Sequence, residues 1–185
     1  MSPILGIIAS GIQNSIANAS SYESIATTTV GSGGASSITF SSIPSTYQHL
    51  QIRGIGSTTN GTTLDFAAVT FNSDTGANYS WHRLFGDGGS ASVSAATSTS
   101  YIQTFCAGNT TFGPLVLDIL DYANTNKFKT ARSLSAAENN GSGNEYILYA
   151  SGNWRNTNAI TSITITGVFG TFRQHTSYAL YGIKG

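Results

Sequence analysis

From residue 21 onward, apolar side chains alternate with serine, threonine or another polar residue in one short segment after another. Each segment is closed by a cluster rich in glycine, asparagine or serine. Period-two alternation puts every second side chain on the same side of an extended chain, so each segment reads as a half-buried strand. The series runs YESIATTTV (22–30), SSITFSSI (36–43), YQHLQIRGIG (47–56), LDFAAVTF (64–71), SYIQTFCA (100–107), PLVLDILDY (114–122), KFKTARSLSA (127–136), EYILYASG (145–152), ITSITITGVF (160–169) and SYALYGI (177–183). The turn clusters between them include TTNGTT, NSDTGAN, GDGGS and ENNGSGN. This reading gives about nine or ten strands, with no helical period of more than a couple of turns between them. It predicts an all-β fold, an antiparallel β-sandwich of jelly-roll type.

Several local readings follow. The GSGG turn at 31–34 is expected to close a hairpin between the first two segments. In YQHLQIRGIG, Leu50 and Ile52 fall on a core face, with His49, Gln51 and Arg53 on the other. In NYSWHRLFG (78–86) Tyr79, Trp81 and Arg83 fit either an alternating strand or a single helical turn, and the segment is read as an excursion loop. SASVSAATSTS (90–100) reads as an exposed edge strand or loop that offers a flat contact surface. Cys106, in an apolar segment and alone in the chain, reads as a small buried residue.

The first twenty residues differ. Leu5, Ile8, Ile12 and Ile16 recur at helical spacing, and Ser2 followed by Pro3 suits a helix start. This makes residues 1–20 an N-terminal arm with an amphipathic stripe, Ile4 included, and residues 21–185 a single sandwich domain. The run Ile4 to Ile8 is short of the roughly 20 residues needed to cross a bilayer, and no basic region precedes it as in a secretory signal.

Composition narrows the function classes. Charged residues make up 9% of the 185, and the eight basic and eight acidic side chains cancel. No basic footprint points to nucleic acid or to an anionic membrane. So little charge repulsion favours self-association. No catalytic constellation appears: there is no G-x-S-x-G, and His49, His82 and His175 lack metal-ligand spacing. Asp118 and Asp121, three apart on a strand, point to opposite faces and do not converge as a carboxylate pair. The expectation is a protein without catalytic residues, metal or cofactor. The remaining candidates are the tryptophans with their polar neighbours. Trp81 beside Arg83, and Trp154 beside Arg155, suit stacking on a sugar ring while donors meet its hydroxyls, if the indoles are exposed; the competing reading is that they fill the core.

The stretch SYESIATTTVGSGGASSITFSSIPSTYQHLQIRG (21–54), with the closing SITITGVFG (162–170) and SYALYGIKG (177–185), resembles small virion-associated proteins of tailed bacteriophages. The resemblance implies a β-sandwich carried on the virion and assembled in the host cytoplasm; it transfers no catalytic residue. Two functions follow as expectations. One is a capsid decoration or cement protein, a homotrimer whose arm (Ile4, Leu5, Ile8, Ile12, Ile16) anchors it to the major capsid protein or a sister subunit. The alternative is a tail- or fibre-associated module that recognises host surface glycan through Trp81, Arg83, Trp154 and Arg155.

Overall fold

The computed structural model describes residues 21–108, 111–139 and 145–185, so the arm and its five aliphatic anchors lie outside the described residues. Twelve strands follow one another: β1 (Tyr22–Thr29), β2 (Ser37–Phe40), β3 (His49–Gly56), β4 (Leu64–Phe71), β5 (Tyr79–Gly86), β6 (Ala91–Thr99), β7 (Ile102–Ala107), β8 (Gly113–Leu120), β9 (Lys129–Ala137), β10 (Tyr146–Trp154), β11 (Ile163–Gly167) and β12 (Ser177–Ile183). They form an eight-stranded sheet, β1-β12-β3-β8-β9-β10-β5-β6, and a four-stranded sheet, β2-β11-β4-β7, with every pairing antiparallel.

The pairing pattern is that of a jelly roll. The outermost described strands pair first, β1 with β12 in the large sheet and β2 with β11 in the small one. Further in, β3 pairs β8 in the large sheet, β4 pairs β7 in the small one, and β5 pairs β6 back in the large one. A long hairpin wound so that successive pairs alternate between layers gives this order; β9 and β10 widen the large sheet between β8 and β5. The protein is thus an all-β antiparallel sandwich.

Two expectations need correction. Residues 78–86 are not a loop but β5, whose Tyr79, Trp81, Arg83 and Phe85 turn inward while His82 and Leu84 face out. Both phases carry large side chains, which hides the period-two signal. GSGG does not close a hairpin either, because β1 and β2 belong to different sheets. Gly34, at φ 70°, directs the chain across from one layer to the other. The segment at 90–100 becomes β6, an edge strand, as one of its two readings held.

The core lies between the layers. Ile38, Val69, Phe71, Ile163 and Ile165 of the small sheet meet Leu50, Ile52, Leu115, Leu117, Ile119 and Leu180 of the large one, all essentially inaccessible. Each such side chain contributes about 1.5–3 kcal/mol on burial. Leu50 and Ile52 lie in this core and Arg53 is exposed, as the alternation in β3 predicts; Gln51 departs from it, buried in a cross-strand network. Cys106 is buried, and desolvation pushes its thiol up to about 12. Gly182 has a packing reason: a Cβ there would come 2.3 Å from the Tyr47 ring, which closes over β12 and donates from its hydroxyl to Glu23.

Candidate functional site

The tryptophans do not form a sugar platform. Trp154 is 1% exposed, and its ring packs on Phe71 (centroids 5.7 Å) and on Tyr79 (6.3 Å, 19° between planes). Its indole Nε1 donates to Asp74 Oδ2 at 2.8 Å. Trp81 is also buried, on the inner side of β5. Arg83 is half-buried, its guanidinium 4.8 Å from the Phe66 ring centroid and 5.7 Å from that of Phe105, and it donates to Gln103 Oε1 at 2.9 Å. Burial holds its guanidinium below the usual arginine range. Arg155 alone of the four is exposed; it donates to the Ala77 carbonyl at 2.7 Å and to Ser98 Oγ at 3.4 Å. Burial of both indoles rules out a solvent-facing role for them.

Asp74 adds a pH dependence. Hydrogen bonds from Trp154, Asn78 and Gly76 hold its carboxyl below the ordinary 3.8. Its folded pKa lies below the unfolded one, so the stability it contributes is complete above about pH 4 and is lost as pH falls through the folded value. Thermal melts from pH 6 downward should show this acid loss in the wild type and a flatter profile in Asp74→Asn.

The other polar candidates stay apart. His49 Nδ1 accepts the Asp121 backbone N–H at 3.0 Å, and Asp121 pairs with Lys127 at 2.9 Å. Asp118 faces the opposite way, toward Gln51 and Arg132. Among the described residues no group of three or more histidine, cysteine or carboxylate side chains stands together as a metal site.

What the structure assembles is the outer face of the large sheet. Val116, Leu134, Tyr149, Leu84 and Val93 stand directly opposite one another on β8, β9, β10, β5 and β6. At a spacing of about 4.8 Å between strands, this row runs about 19 Å. Leu134, Tyr149 and Leu84 are each about half exposed and Val93 is 77% exposed; Ile147, beside the row, is 61% exposed. Two shallow depressions, of about 460 Å³ and 270 Å³, lie along it and share Leu84 and Tyr149 in their walls. Two residues along the strands a polar row runs parallel, Gln51–Asp118–Arg132–Ser151–His82. Within it Gln51 donates to Asp118 at 2.5 Å, and Arg132 donates to the other carboxylate oxygen at 3.1 Å. The sequence carried a signal for this face. Ile147, Leu148 and Tyr149 are consecutive, as are Leu115, Val116 and Leu117, and an unbroken apolar run marks a strand that is apolar on both sides.

Fold and surface together define a two-layered antiparallel jelly roll with one large apolar outer face. No family model matches the chain, and no curated protein does. Among solved structures it is similar to the Caenorhabditis elegans galectin LEC-6, at TM-score 0.36 and 9% identity over 83% of this chain and 94% of that one. It is also similar to the Ruminococcus gnavus IT-sialidase CBM40, at TM-score 0.27 and 7% identity over 89% and 93%. At these values the similarity carries nothing further, and the fold assignment rests on the strand pairing described above.

Proposed function

We propose that this chain is a non-enzymatic structural protein of a tailed-phage virion, a capsid decoration or cement protein that docks as an oligomer through nonpolar contact. The observation that carries the reading is the row Leu134–Tyr149–Leu84–Val93, largely apolar and left open to solvent. A contiguous apolar patch on a soluble domain marks an interaction surface. The scarcity of charge and the resemblance of residues 21–54 to virion-associated proteins support the same reading. Its partners are identical subunits and a shell protein such as the major capsid protein. Residues 1–20 add a second nonpolar contact.

The test is occupancy on particles. Leu84→Asp with Leu134→Asp places two carboxylates in the row. Both leucines are half exposed in the free protein, so the sandwich survives, while docking loses about 1.4 kcal/mol or more per site, tenfold each. Occupancy on assembled particles should fall at least tenfold. Full occupancy by the double variant would remove this face from the docking contact. A chain lacking residues 1–20 tests the arm in the same assay.

The glycan-recognition reading keeps one observation in its favour. The half-exposed Tyr149 ring stands on the same open face as the Asp118–Arg132 pair, an aromatic surface beside polar groups. It moves the site from Trp81 and Trp154 to Tyr149 and Arg132. Tyr149→Ala should then abolish adsorption to host cells with particle assembly intact; unchanged adsorption ends that reading.

A further inference from the structure

We infer that β6 is the seam at which two copies of this chain join, pairing antiparallel about a two-fold axis so that their large sheets become continuous. This rests on the oligomeric part of the function proposed above and names its surface. A free strand edge exposes a row of unpaired backbone donors and acceptors that another strand can complete, and proteins blunt such edges unless they use them. The four edges differ in this respect. β2 is only four residues long, and all six residues of β7 are buried. β1 carries a bulge between Ser24 and Ala26 and a Glu23–Lys184 ion pair. β6 has none of these devices along Ala91–Thr97. It is built only from alanine, serine, valine and threonine, its register with β5 is regular until the shift opposite Tyr79 and Ser80, and among the described residues no strand pairs its outer side.

The occupant is a second copy because the strand complements itself when reversed. With the axis at Ser94, the middle of the regular stretch, Val93 lies opposite the partner's Ala95 and Ala91 opposite the partner's Thr97. Small side chains meet small side chains on both faces. The charges at the two ends also match. Asp87 sits in the exposed turn that leads into β6, where its carboxylate accepts from the backbone and hydroxyl of Ser90. At the far end Arg155 reaches Ser98. Antiparallel pairing sets Ser90 opposite the partner's Ser98, which brings Asp87 alongside the partner's Arg155, twice by symmetry. Pairing also joins the two outer faces, so that Leu84 and Val93 of both copies form one apolar surface twice as broad. A two-fold seam yields a dimer, in place of the trimer expected from sequence.

Sedimentation of the full chain at tens of micromolar should give twice the monomer mass. Val93→Lys, at a position 77% exposed and therefore neutral for folding, should return it to a monomer, with Ala95→Lys as a second such variant. Asp87→Arg should weaken the dimer, and combining it with Arg155→Asp should restore it. Ser94→Cys should form a disulfide-linked dimer under mild oxidation, since facing residues in an antiparallel pair have Cα atoms about 4.5–5.5 Å apart. Thr130→Cys in the interior of the sheet should not, and the buried Cys106 does not compete. A monomeric wild type, a trimer, or a dimer that survives both lysine substitutions with no Ser94→Cys cross-link overturns the seam. A wild type that is monomeric and still loads onto particles would refute the seam alone; a β6 dimer absent from particles would refute the virion reading alone.

Discussion

Replacing Trp154 with alanine is expected to lower the unfolding free energy by about 3–5 kcal/mol, the range for truncating a large buried aromatic. The residue joins three parts of the molecule: it stands at the end of β10 in the large sheet, packs tilted against Phe71 of β4 in the small sheet, and bonds the β4–β5 turn through Asp74. Alanine leaves a cavity between the layers and removes the ring that Tyr79 lies against. Tyr79 itself accepts the Phe71 backbone N–H at 3.0 Å and donates to the Asp74 carbonyl at 3.1 Å, so the damage spreads along the turn. Trp154→Phe keeps most of the volume and loses the indole donor, and should cost about 1–3 kcal/mol. Urea midpoints of the wild type and both variants decide the matter. Equal midpoints for wild type and Trp154→Ala would show that this corner does not hold the layers together.

The second large effect belongs to Lys129, a lysine with 0% exposure at the start of β9. Its ammonium donates to the carbonyls of Lys127 (2.8 Å), Thr157 (3.1 Å) and Asn124. Among the described residues no carboxylate is bonded to it, and burial lowers its pKa, with the charge of Asp121 acting the other way. Three carbonyl oxygens satisfy its three donors, which is how a cation is retained in a site that would otherwise reject it. The contacts tie the loop after β8 and the loop after β10 to one point. Lys129→Met keeps much of the side-chain volume and removes every donor, and it should cost about 3 kcal/mol, with the oxygens left part-buried and unpaired. Hydrogen exchange should rise in residues 122–128 and 155–160 before it rises in the core strands. Uniform exchange with an unchanged urea midpoint would mean that water replaces the ammonium without loss.

The legible parts of the fold share a cause. The strands Leu64–Phe71 and Ser177–Ile183 were readable to the residue, because each is a short run rich in apolar and aromatic residues bounded by turn residues. β5 was not, since Tyr79, Trp81, Arg83 and Phe85 face inward while His82 and Leu84 also carry bulk. The apolar outer face was missed for a related reason: the apolar residues at the outward phase of β8, β9, β10, β5 and β6 are one or two per strand, and they become a surface only when register sets them side by side. The tryptophans left two readings open, a sugar platform or core filling, and burial decides for the core. Asn153, Arg155 and Asn156 around Trp154 suggested solvent, yet the strand ends with its indole under the small sheet.

Alternation and turn chemistry are properties of neighbouring residues, and they alone determined that this chain is an all-β protein with nearly uncharged strands. Which strands meet, and which side of each is covered, was decided by contacts such as Thr29 beside Ser177, far apart in the chain. A period of two tells a strand's two sides apart without saying which one the other layer will cover. Where both sides are apolar, only the stacking of a four-stranded layer on an eight-stranded one determines what remains in water.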